Sequence, residues 1–166
     1  MRGHVALLRL FLWISVFAWG IALGAKLFDL IVLAGAWSSA PPESLTLLPY
    51  GPQFRVNPGQ FFMPVSLVAL VGAAGALISG WTTPFEYRRW LWSPVLLLVA
   101  VWVITVPVMW PMNAALRSAS HGANNASNAE VIRMAHRWIR VDWLRVAMIA
   151  AGFLSAIRAI SLSVPP

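Results

Sequence analysis

The chain has 166 residues, about one domain's worth. Hydrophobic residues make up 60% and charged residues 10% of it, against about 45–50% and about 25% in an ordinary globular domain, so lipid rather than water is the expected solvent. The formal charge of +7 sits mainly at the ends of apolar runs, where Lys and Arg meet headgroups, and no nucleic-acid-binding motif accompanies it. The chain has no cysteine, which excludes disulfides, thiolate chemistry and Cys-ligated metal centres.

The first apolar run extends from about residue 5 to residue 37, longer than the about 20 residues a span needs. Arg2 ahead of Leu7–Leu23 superficially resembles a signal peptide, but the apolar stretch exceeds the usual h-region of about 7–15 residues. It is therefore read as a retained span. Lys26 and Asp29 lie inside it, three residues apart and so on one helix face. A charge at the bilayer centre costs about 2.5–3.5 kcal/mol on insertion scales, so both groups must be paired, hydrated or functional. A structural ion pair and a pair lining a ligand cavity are both open.

Residues 38–59 read as a loop with Pro41, Pro42, Pro49, Pro52 and Pro58, which oppose helix and stiffen the chain. Carrying Tyr50, Phe54 and Arg55, it serves either as a lid or as a plain connector. The second span is placed at 60–81. Its Gly72, Ala76 and Gly80 form a small-residue ridge suited to internal packing or to a homo-oligomer, and Gly20 and Gly24 play the same part on the first helix.

A short turn, 82–89, holds Pro84 and the Arg88-Arg89 pair, and the third span follows at 90–110. Pro107 and Pro111 each remove a donor, leaving the carbonyls of Val103 and Pro107 in need of other partners. Asn113 follows and can both donate and accept. Ser118–Asn128 reads as a loop. It contains the sequon Asn125-Ala126-Ser127, and Ser127 with Glu130 makes a capping box. A helix then begins near Asn128 and continues into the fourth span at 141–160. On that helix Asp142 and Arg145 share a face with Trp138, Ile149, Gly152 and Ala156, and so point inward. Arg133, Arg137 and Arg140 lie opposite, with His136 at the edge of that cluster, as a solvated or headgroup-binding face.

Trp37, Trp81, Trp90, Trp92, Trp110, Trp138 and Trp143 fall near the span ends, as an aromatic belt would. The predicted fold is all-α: one integral membrane domain over 1–166, a four-helix bundle with a long Pro-rich first loop and an extended fourth helix. Arg2, Arg9 and the Arg88-Arg89 turn favour both termini in the cytoplasm of a bacterial-type inner or plasma membrane. His121 and His136 form no HxxxH or HExxH pattern, no nucleotide or nucleophile motif is present, and no metal or other cofactor is predicted.

Four features together resemble the anthrone oxygenase-like family of small four-span membrane proteins. They are the four-span layout; Trp37-Ser38-Ser39-Ala40-Pro41-Pro42-Glu43-Ser44 with Asn57-Pro58-Gly59-Gln60-Phe61-Phe62; Pro111-Met112-Asn113-Ala114-Ala115-Leu116; and Arg137-Trp138-Ile139-Arg140-Val141-Asp142-Trp143-Leu144-Arg145. The resemblance implies oxidation of a flat, polyketide-type phenolic substrate by O2 without flavin. Such a carbon acid needs a base, for which Asp29, Asp142 and His136 are candidates. It also needs a cation to stabilise developing anions, for which Lys26, Arg140 and Arg145 are candidates. Asn113 completes the polar set, and Tyr50, Phe54, Trp110 and Trp138 would hold the rings. The competing readings are a non-catalytic binder of lipid or another hydrophobic ligand, a small subunit of a membrane complex, and, last, a transporter protomer. No internal repeat favours the transporter.

Overall fold

The computed structural model describes residues 2–51, 54–123 and 126–162. The described residues form helices joined by loops and turns, with no strand among them, and four helices are long and apolar enough to cross a membrane. This is an all-α, multi-pass membrane bundle. Pro52, Asn125 of the sequon and the side chain of Arg2 lie outside the described residues.

Helix α1 (Arg2–Phe28) passes through a π-turn at Asp29–Leu33 into α2 (Ala34–Trp37), forming one continuous rod. Helix α3 (Pro58–Ser79) returns across the membrane. The third span is α4 (Phe85–Ile104), a π-turn at Thr105–Met109 and α5 (Trp110–Ser120). The fourth is α6 (Asn128–Ser161). Successive spans are neighbours: α3 packs on α1, α4 on both α3 and α6, and α6 on α1. The topology is therefore up-down-up-down.

Several boundaries differ from the sequence expectation, each for a local reason. The second span starts at Pro58 rather than residue 60. Asn57 caps it by accepting from the Gln60 N–H at 3.0 Å, the Gln60 side chain accepts from the Asn57 N–H, and Pro58 at the first helical position has no N–H to lose. The third span begins at Phe85, just after Pro84, and does not exit near Trp110 but runs on to Ser120. The misfit at Pro107 is taken up inside a π-turn, closed by the Trp110 N–H donating to the Thr105 carbonyl, so the helix widens instead of ending. The Pro-rich loop is not wholly non-helical either. Glu43–Leu47 forms a 3-10 turn after Pro42, where proline is tolerated. The continuous fourth helix and its Ser127–Glu130 capping box are both present.

Helix length decides where the functional end lies. Helix α3 has 22 residues, about 33 Å at 1.5 Å per residue, just enough for the about 30 Å hydrocarbon core. The other three spans have 35, 36 and 34 residues. Leu8, Tyr87, Leu91 and Ala159 pack together with Ala76 and Leu77 near the termini, so the excess length accumulates at the opposite end. There the first loop fills the notch above α3. Leu45 and Leu48 are buried with Trp37, Met112, Leu116 and Ala135, and Ser44 Oγ donates to the Trp37 carbonyl at 2.7 Å. The loop is thus a packed roof.

Close approach of the helices depends on small residues. A Cβ on Gly72 would lie 2.6 Å from the Ser15 backbone N, and one on Gly152 would lie 2.7 Å from the Trp19 ring. The Gly72/Ala76/Gly80 ridge is used inside the bundle, against α1 and Leu91. Gly24 differs from the expectation: it is exposed and a Cβ there would meet nothing within 4 Å, so it forms no packing notch. Gly72→Ala should therefore destabilise the bundle by about 1–3 kcal/mol through overpacking. Gly24→Ala should be neutral or slightly stabilising. Thermal unfolding in detergent checks both, and equal behaviour of the two variants would contradict this packing.

Candidate functional site

Helices α1 and α6 meet at the loop end of the bundle and bring four charges into one chain of contacts. Lys26 Nζ donates to Asp29 Oδ2 at 2.5 Å and lies 3.0 Å from Asp142 Oδ2. Arg145 Nη1 donates to Asp142 Oδ1 at 2.7 Å. Two cations and two anions make the cluster neutral overall. Lys26 is 3% exposed, Asp29 6% and Asp142 0%, so none of these three charges is left to bulk water. Each is offset by an opposite charge, the condition under which such groups persist in a membrane core. The Asp29–Leu33 π-turn begins at the charged residue itself.

Aromatic rings enclose the cluster. Lys26 Nζ sits 5.3 Å from the Phe62 ring centroid and 5.4 Å from that of Trp138. Trp138 packs edge-on against Trp37, with centroids 5.0 Å apart, and its Nε1 donates to Asn113 Oδ1 at 2.6 Å. Trp37 and Trp138 are therefore buried site residues rather than members of an interfacial belt. Trp81, Trp110 and Trp143 are the exposed tryptophans near the span ends.

Beside the cluster lies a cavity of about 570 Å3. Lys26, Asp29, Asn113 and Arg145 contribute polar wall, and Trp37, Tyr50, Phe62, Trp102, Trp110 and Trp138 contribute aromatic wall. Asp142 does not reach the cavity; it lies behind Lys26 and Arg145 and fixes both. Phe54 lines a smaller adjoining cavity of about 310 Å3, which shares Asp29 and Phe62 with the larger one. His136 and Arg140 are not brought to the site. They lie on the exposed face of α6 with Arg133 and Arg137, because the positions one turn apart at Ala135, Trp138 and Asp142 take the inward face. His121 is also exposed.

The sequence reading missed Phe62, Thr105, Asn57 and Gln60 as wall residues and Arg117 as the cation 5.3 Å from the Tyr50 ring. Asn57-Pro58-Gly59-Gln60 carried a usable signal. An N-cap Asn, a Pro at the first helical position and a Gln at the third mark a helix start, and here that start forms the cavity rim. Arg117 carried none, since it reaches Tyr50 only through the packing of the loop on α5.

Residues 54–155 match the model of the family described as anthrone oxygenase. The chain belongs to the anthrone oxygenase family. No curated protein and no solved structure matches it. The family match takes in Asn113, Trp138, Asp142 and Arg145 from α5 and α6, whereas Lys26, Asp29 and Tyr50 precede it. The cavity is thus formed jointly by the matched helices and by the first span and loop.

The Tyr50 phenol on the cavity wall is pushed up to about 12, first by burial and then by the nearby Asp29 charge. The folded chain therefore holds this proton where an unfolded chain loses it, near 10. The associated stability is complete below about pH 10 and is lost as pH rises through about 12. The chain has only two tyrosines, so a Tyr87→Phe variant reports Tyr50 alone. Its ultraviolet phenolate absorbance should appear near pH 12, while appearance near the ordinary value of about 10 in the folded protein would show Tyr50 to be exposed.

Proposed function

We propose that this chain is a membrane-embedded oxygenase that oxidises a flat, lipophilic phenolic carbon acid with O2, the anthrone-like substrate class of its family. The observation that carries the reading is the placement of Asp29 and Lys26, from outside the family match, on the wall of an aromatic cavity completed by Asn113, Trp138 and Arg145 from inside it. A volume of about 570 Å3 falls in the range of small-molecule sites, about 300–1,000 Å3.

Asp29 is the proposed base, because it is the carboxylate of the cluster that lines the cavity. It takes one proton from the acidic CH2 of the substrate. Lys26 and Arg145 stabilise the phenolate-type anion that results, in a site where water competes weakly. The carbanion passes one electron to O2, and the substrate radical and superoxide combine to form a C–O bond. The peroxide anion takes back the proton held by Asp29 and becomes a hydroperoxide. Loss of the second C–H proton then breaks the O–O bond, leaving a ketone and one water. One substrate CH2 and one O2 thus give one C=O and one H2O. Asp142 acts as a positioning residue, holding the two cations toward the cavity.

The sequence-based orientation completes the proposal. The short turn with Arg88 and Arg89 lies on the same side as the termini, favouring that side as cytoplasmic in a bacterial-type inner or plasma membrane. The cavity then lies toward the other face. A non-catalytic hydrophobic-ligand binder would use the same cavity without turnover, which the following test separates. In liposomes at neutral pH, with protein-free liposomes as the control for spontaneous oxidation, O2 uptake with anthrone should fall about 10²–10⁴-fold in Asp29→Asn. It should be unchanged in Glu86→Gln, an exposed position at the far end. Full turnover in a folded Asp29→Asn variant would remove Asp29 from the mechanism. Anthrone binding without turnover above the control in the native chain would favour the binder.

A further inference from the structure

We infer that the seam between α3 and α4 is a lateral entrance: an apolar subsite open to the bilayer, where a flat lipophilic ligand docks before passing Trp102 into the polar cavity. The inference rests on the proposed function only in the ligand class, a planar fused-ring molecule dissolved in the membrane.

A groove of about 540 Å3 runs along this seam, lined by Leu70 of α3 and by Leu98, Val99, Trp102, Val103 and Val106 of α4 and the π-turn, with Pro107 at its end. Leu70, Val99, Val103 and Val106 are exposed, and among the described residues no charged side chain lines the groove. Leu70 lies 12 residues into α3, about 18 Å from its start at 1.5 Å per residue, so the groove sits near mid-bilayer depth. Only acyl chains and lipid-dissolved molecules reach such a surface.

Trp102 is common to this groove and to the polar cavity. Its half-buried ring forms the partition, with Val101 and Thr105 on the cavity side and Val99 and Val106 on the lipid side. Helix α3 packs less extensively against α4 than against α1, so this seam is the easier of its two to part. Both spans also carry a backbone irregularity on the way from the groove to the cavity. Pro64, on the cavity wall, removes a backbone donor from α3, and the Thr105–Met109 π-turn widens the third span. A ligand that partitions into lipid would thus meet an apolar slot first and the Asp29–Lys26 pair only after displacing one ring.

The test uses anthracene, which has the fused-ring shape but no acidic CH2, so it reports binding without turnover. Its association with the full chain in liposomes is followed by energy transfer from tryptophan. Trp102→Ala should speed association and dissociation alike. Val99→Trp and Leu70→Phe fill the groove at exposed positions and should slow both by about tenfold, within the range over which association rates vary among related variants. Ile78→Trp, exposed elsewhere on α3, should change neither rate. Rates unaffected by all three seam substitutions, with binding intact, would overturn the entrance while leaving the oxygenase reading in place. Failure of the native chain to bind anthracene at all would also overturn it. Rates that respond as described, alongside full anthrone turnover by Asp29→Asn, would keep the entrance and remove the proposed base.

Discussion

Lys26 carries one positive charge between two carboxylates on different helices, Asp29 on its own rod and Asp142 on α6. Neither carboxylate is exposed to bulk water, so each would be costly without that cation. Arg145 then balances the second negative charge, and the four groups form a neutral unit. The unit fixes the rotation of α1 against α6, because turning either helix would separate buried opposite charges. It also sets what faces the cavity: Lys26, Asp29 and Arg145 line it, while Asp142 stands behind them.

The remaining architecture provides a place for that unit. Three spans overshoot the bilayer at the loop end and α3 does not. The notch above α3 is roofed by Leu45, Leu48, Pro49 and Tyr50 of the first loop. Two π-turns, Asp29–Leu33 and Thr105–Met109, widen two of the long rods beside the cavity, and Asp29, Thr105 and Met109 all line it. Wide turns of this kind recur at functional sites because they re-aim side chains that a regular helix would stack.

Much of the fold was legible in the sequence because the bilayer imposes long apolar helices and leaves few alternatives. The pairing of Lys26 with Asp29 followed from their spacing, and the inward direction of Asp142 followed from its alignment with Gly152 and Ala156. What the sequence could not show was that the two pairs meet, since that depends on which helices become neighbours and at what depth. The tryptophans carried the opposite lesson. Trp37 and Trp138 stand near span ends, as belt residues do, yet they are buried against each other because three helices continue past the interface. Likewise, the prolines at 107 and 111 pointed to freed backbone carbonyls, but not to how the helix takes them up: a π-turn absorbs the first and Pro111 stands in the opening turn of α5. His136 and Arg140 were chosen for residue type; the inward positions of α6 leave them on its outer face.

The most direct test of the account is a double-mutant cycle between Lys26 and Asp142, using Lys26→Met, Asp142→Asn and the combined variant, with unfolding free energies measured in detergent. If Lys26 bridges α1 to α6, each single change should be strongly destabilising, by about 3–5 kcal/mol. The double variant should then be more stable than the sum of the two predicts, by about 0.5–3 kcal/mol. Additive losses would show that the two groups do not interact and would contradict the arrangement on which the cavity and the proposed chemistry depend.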